Sequence, residues 1–143
     1  MAGRGFGKTR AGAEWVRSVA ERDGRARIAL VGATLHEARS VMVEGESGLL
    51  SIAPWWNRPA FAPALRKLVW PNGAIATLYG AAEPEALRGP QFSHGWADEI
   101  AKWPGGETAW DNMMMAMRLG RQVRVVATTT PRPVPLVRAL VAR

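Results

Sequence analysis

The spacing of apolar residues along this chain changes period several times, and each change marks an element. From Lys8 to about Glu21 the spacing is helical, with Ala11, Trp15, Val16 and Val19 on one side. Asp23-Gly24 ends that helix. Ile28 to Val31 is an unbroken apolar run between Arg27 and Gly32, the mark of a strand covered on both faces. A second helix is predicted over Leu35 to Val43, with Thr34 as its N-cap and Glu37 three residues on, a capping box. The stretch from Ala53 to Pro63 holds three prolines and two tryptophans and predicts irregular chain. Lys67 to Trp70 and Ala74 to Tyr79 flank Pro71-Asn72-Gly73, a hairpin signal. Phe92 to Ala97 predicts a strand, Thr108 to Leu119 a helix, Val123 to Thr128 a strand, and Pro133 to Ala142 a last helix. Strands alternating with helices give an α/β domain with a mainly parallel sheet and one antiparallel hairpin.

Composition narrows the setting. At 143 residues, 48% hydrophobic and 22% charged, the chain has the profile of one globular domain. Its net charge of +7 and sequence pI near 11.2 point to a polyanionic partner. Lys supplies only three of the 19 basic residues, and an Arg excess of this kind also follows from a GC-rich genome. Cysteine is absent, which excludes disulfides, thiol nucleophiles and thiolate metal sites. No apolar run reaches a membrane span, and no apolar stretch follows the basic N-terminus as in a secretory signal. The expectation is a cytoplasmic protein with no membrane partner.

Three short motifs carry chemistry. The chain opens Met-Ala-Gly-Arg-Gly-Phe-Gly-Lys-Thr. A phosphate-binding loop needs small residues whose amides turn inward, a Lys for the β- and γ-phosphates, a hydroxyl for Mg²⁺, and a helix directly behind. Gly7-Lys8-Thr9 and the helix after it supply these, while Ala2 stands where the full pattern has Gly. The other reading is a glycine-rich basic tail. The second motif is Asp98-Glu99 at the end of the Phe92 strand. Paired carboxylates there suit a Mg²⁺ shell and a water-activating base. Taken alone, they read as acids opening a helix. The third is Thr128-Thr129-Thr130 at the carboxyl end of the last strand, where ligands bind in open α/β sheets. Alone, it reads as a polar strand end before Pro131.

Their order is that of a hydrolysing P-loop ATPase of the additional-strand type. Gly3-Arg-Gly-Phe-Gly-Lys-Thr-Arg-Ala-Gly-Ala-Glu-Trp15, Leu87-Arg-Gly-Pro, Trp96-Ala-Asp-Glu-Ile and Ala127-Thr-Thr-Thr-Pro131 together resemble the ATPase domain of the large terminase subunit. That family forms the DNA-packaging motor of tailed phages, prophages and gene-transfer elements. The resemblance runs over nearly the whole chain. It implies ATP and Mg²⁺ as cofactors, with Gly3, Gly5, Gly7, Lys8 and Thr9 around the phosphates. Thr9 and Asp98 would hold Mg²⁺, and Glu99 would be the catalytic base. Arg4 would sense or stabilise the γ-phosphate, and Thr128, Thr129 and Thr130 would form the coupling motif. Arg88 has two readings of equal standing, a finger reaching a neighbouring subunit's ATP or a salt bridge to Glu83 or Glu85.

The resemblance further implies double-stranded DNA, the portal protein and the small terminase subunit as partners, and a homo-oligomeric ring on the portal. DNA would be held mainly through its phosphates. Residues 1–143 are expected to form one partial ATPase domain. It would lack the strand before the loop, the adenine-binding segment and the C-terminal nuclease domain. Two other functional readings stand beside this one: a helicase-like ATPase, and an inert remnant that binds nucleotide or nucleic acid without turnover.

The remaining conspicuous residues read as structural. His36 and His94 have no second ligand at metal spacing. Trp15 and Trp110 fall on apolar helical faces, and Trp110, Met113, Met114 and Met117 share a helical spacing that predicts core. Trp55-Trp56 among the prolines has no assignment. Arg17, Arg22, Arg25 and Arg27 read as a solvated face.

Overall fold

In the computed structural model, residues 6–119 and 124–129 are described. Helix α1 (Phe6–Arg22) leads into strand β1 (Arg27–Gly32). A single α-turn, α2 (Leu35–Glu37), runs on into a π-wound turn (Ala38–Val43) and then the short α3 (Leu49–Ile52). Strands β2 (Ala60–Ala62), β3 (Lys67–Val69) and β4 (Ile75–Gly80) follow. Then come β5 (His94–Asp98), α4 (Gly106–Ala116) and β6 (Arg124–Thr128). They form one six-stranded sheet in the order β2-β3-β4-β1-β5-β6. Strands β4, β1, β5 and β6 are mutually parallel; β3 pairs antiparallel with β4, and β2 antiparallel with β3.

Alternation along β1 divides the core. Ile28 and Leu30 join one apolar cluster with Val16 and Val19 of α1 and Trp96 of β5. Ala29 and Val31 join the other, with Trp110 and Met113 of α4 and Ala97 of β5. The sheet is therefore covered on both faces, which is why β1 carries apolar residues without interruption. The hairpin is present as expected: Trp70 and Ala74 close it, and Gly73 takes φ +102°, a conformation that favours glycine.

Several local expectations are corrected. The segment Ala53–Pro63 is not wholly irregular: it holds a 3-10 turn (Trp55–Asn57) and strand β2, which extends the hairpin to a three-stranded meander. The helix expected over Leu35–Val43 is α-helical only in its first turn, where Thr34 accepts from the Glu37 N–H at 3.1 Å. The rest is π-wound, which brings Ala38, Met42 and Val43 inward together. On α1 the buried positions are Thr9, Gly12, Ala13, Val16, Val19 and Ala20; Ala11 is exposed and Trp15 only half-buried. On α4, Met113 is fully buried but Met114 is 41% exposed, so Met114 is not core. The expected last helix from Pro133 lies outside the described residues.

Candidate active site

The head of α1 and the carboxyl ends of β1, β5 and β6 meet at one edge of the sheet, where open α/β sheets place their ligands. Thr9, Gly32, Ala33, Glu37, Val41, Asp98, Glu99 and Lys102 line a cleft there of about 160 Å³. The sequence-derived residues Thr9, Asp98 and Glu99 are thus brought together across a separation of some ninety residues. Gly7, Lys8 and Thr9 lie in the first turn of α1, whose leading N–H groups have no intrahelical acceptor. That terminus carries partial positive potential, suited to phosphate. The Lys8 ammonium donates to the Thr129 carbonyl at 2.8 Å, tying the helix head to the end of β6. Gly3, Gly5, Arg4 and Thr130 lie outside the described residues.

Strands β5 and β6 are in register with Asp98 opposite Thr128. The Thr128 hydroxyl donates to Asp98 Oδ1 at 2.6 Å. One residue on, the Thr129 hydroxyl accepts from the Ala101 N–H at 3.0 Å and reaches Glu99 Oε1 at 3.3 Å. The threonine motif is therefore fastened to the carboxylate pair residue by residue. Burial pushes the Asp98 carboxyl up to about 6. The Thr128 hydrogen bond opposes that shift, the Glu99 and Glu37 charges add to it, and Lys102 opposes it. Glu99 takes left-handed backbone angles, φ 51° and ψ 54°, where the strand breaks into a 3-10 turn (Ile100–Lys102). For a residue with a Cβ that conformation is sparsely populated, and such residues concentrate in tight turns and at functional sites.

Among the lining side chains Thr9, Glu37, Asp98 and Glu99 offer oxygen donors. This set fits Mg²⁺, which takes few protein ligands and completes its shell from phosphate and water. Among the described residues, no three acidic, His or Cys side chains cluster as a self-sufficient metal site.

Arg88 stands elsewhere. It is exposed and lines a separate cleft of about 300 Å³ with Gln91, Asn112, Met115 and Arg118. Among the described residues it forms no ion pair with Glu83 or Glu85. Neither histidine lines the cleft: His94 meets Trp15 edge-on at 5.8 Å and bonds Ser93 at 2.8 Å, and His36 is exposed. Arg17 is held by Glu14 and Glu21, each at 2.6 Å, and Arg27 by the carbonyls of Ala26 and Gly73. Sequence reasoning missed Glu37, Lys102, Trp96 and Trp103. The Trp103 indole donates to the Asp98 carbonyl at 3.0 Å, and the Trp96 indole to Thr128 at 3.1 Å. No spacing rule announces the Trp96 indole, whose partner comes from the neighbouring strand β6, or the Trp103 indole, which turns back on a main-chain carbonyl.

Comparison with known proteins places this fold. The family model for "Terminase large subunit, T4likevirus-type, N-terminal" matches residues 1–143. The large terminase of a thermophilic bacteriophage superposes with TM-score 0.68 at 13% identity, over 84% of this chain and 30% of that one. The same phage protein in complex with ADP gives TM-score 0.64 at 16% identity, over 82% of this chain and 29% of that one. The large terminase ATPase domain of Thermus phage P74-26 gives TM-score 0.64 at 19% identity, over 94% of this chain and 59% of that one. The chain thus spans under a third of the first protein and about three-fifths of the last domain. A comparison with curated proteins finds no match.

Proposed function

We propose that this chain, which belongs to the large terminase subunit family, is the nucleotide-hydrolysing part of a DNA-packaging motor. Residues 1–143 would form a single partial ATPase domain in it. The observation that carries the reading is the cleft uniting Thr9, at the head of α1, with the buried Asp98 and the strained Glu99. Lys8 would neutralise the β- and γ-phosphates. At present its ammonium rests on a backbone carbonyl, a neutral acceptor that an anion readily displaces. Gly3, Gly5 and Gly7 would let the loop amides approach the phosphates, and Arg4 would meet the γ-phosphate. Thr9 and Asp98 would hold Mg²⁺, which when bound neutralises charge on the phosphate oxygens. Glu99 would accept the proton of the attacking water and hold that water in line.

Thr128, Thr129 and Thr130 would report the state of the cleft to β6, because the first two already touch the carboxylate pair. Arg88, exposed and away from its own subunit's cleft, suits a finger that enters a neighbour's. Hydrolysis would drive double-stranded DNA through a portal into a capsid. The acting form would be a homo-oligomeric ring on that portal, with the small terminase subunit as a further partner. The excess of positive charge fits contact to DNA phosphates.

The test is turnover and nucleotide binding in the full-length protein. Glu99→Gln is expected to keep Mg-ATP binding and lose about 10²-fold or more in turnover, the usual contribution of a positioned base. Lys8→Ala is expected to abolish both. Hydrolysis near the wild-type rate in either variant sinks the assignment.

A further inference from the structure

Strands covered on both faces favour aliphatic residues, yet β5 carries a tryptophan two positions before Asp98. Trp96 is fully buried, and its indole edge lies directly on the backbone of Gly12 in α1. A Cβ at position 12 would come within 2.2 Å of Trp96 Cε2 and 2.3 Å of its Nε1, so no other residue leaves the ring where it is. Gly12 follows Thr9 by three residues and Lys8 by four, so the ring supports the helix one turn behind the cleft.

The indole N–H donates to the Thr128 hydroxyl at 3.1 Å. A hydroxyl has one hydrogen and two lone pairs. With a lone pair taken by Trp96, the hydroxyl hydrogen turns to the other side. Two acceptors stand there, Asp98 Oδ1 at 2.6 Å and the Ala97 carbonyl at 3.4 Å, and the shorter, charge-assisted bond prevails. Trp103 offers a contrast. Its N–H is satisfied by a main-chain carbonyl, as any buried indole requires, and orders no side chain.

Resting on the reading of the cleft as a hydrolase site, we propose that Trp96 is a positioning residue for Asp98. Its N–H fixes the direction of the Thr128 hydroxyl, which holds one carboxylate oxygen and leaves the other for the cleft. Gly12 is the space that permits this. The relay spans three elements, so the distance from Thr9 to Asp98 is set by one rigid ring seated between α1 and β6.

The experiment measures Mg-ATP turnover, KM and the indole ¹H–¹⁵N spectrum in the full-length protein. Trp96→Phe keeps a ring against Gly12 and removes the donor. It is expected to lower kcat about tenfold, the order of one lost aligned hydrogen bond, with KM changed less than about twofold. Thr128→Val is expected to lower kcat similarly and to shift the Trp96 indole resonance, whereas Thr128→Ser retains both. The double variant Trp96→Phe with Thr128→Val is expected to lose no more than either single, since both remove the same relay. If Trp96→Phe does not fold, the Thr128→Val and Thr128→Ser pair decides alone. Wild-type turnover with kcat unchanged in Trp96→Phe or Thr128→Val, or losses that multiply in the double variant, would overturn the relay and leave the hydrolase reading standing. A wild-type protein that binds Mg-ATP without turning it over would overturn both.

Discussion

Asp98 is held at a cost to the fold. Its carboxyl is raised from 3.8 to about 6 by burial, so between those values the folded chain binds more protons than the unfolded one. Stability therefore falls as pH rises through that window, and the full penalty stands above about pH 6. In the metal-free protein Asp98→Asn removes the penalty while keeping an acceptor for Thr128. It is expected to stabilise by about 2–3 kcal/mol at pH 7.5 and by little at pH 4, with nucleotide hydrolysis lost. Urea titrations at the two pH values check this, and equal effects at both would refute it. At this scale much of the site was legible. Gly-Lys-Thr, Asp-Glu and Thr128-Thr129 stand in sequence as contiguous motifs, because the residues that the structure brings together are neighbours on one helix head or strand end. Trp96 was not legible, because what it holds depends on which strands become neighbours; Trp103 was not, because its bond back to the Asp98 carbonyl needs the turn after β5 to fold the indole over the strand end.

The elements show where periodicity runs out. Long strong patterns were readable, α1 because a helical period persists through it and β1 because its apolar run is unbroken. Strand β2 has three residues, too few to show a period, and prolines stand just before and after it. The π-wound turn escaped because Ala38 and Val43 lie five apart, a spacing that no α-helical template scores as one face. On α4 the methionines share a spacing, yet only geometry tells which of them meets the sheet. Met113→Ala is expected to cost about 2–5 kcal/mol, as for a buried Met, and Met114→Ala to stay within about 0.5 kcal/mol. Chemical denaturation of the two variants side by side checks the orientation of the helix, and equal losses would contradict it.

At the scale of the whole molecule, a site split between subunits makes a prediction no monomer can satisfy. If Arg88 serves a neighbour's cleft, mixing Arg88→Ala with Lys8→Ala protein is expected to restore part of the turnover, since some interfaces then join an intact loop to an intact finger. Absence of recovery at every ratio, with assembly verified, would return Arg88 to its own surface. The strand order has a different consequence, one of time. Strand β1 lies between β4 and β5, and its first pairing partner stands 48 residues later, Ile75 for Arg27. On a ribosome adding about 5–20 residues per second, that partner emerges roughly 2–10 seconds after β1 does. For that interval Ile-Ala-Leu-Val has no strand to pair with, while the meander of β2, β3 and β4 closes locally as it is made. The centre of the finished sheet is thus the part of the nascent chain that waits longest for a partner, and the part a chaperone has most reason to hold.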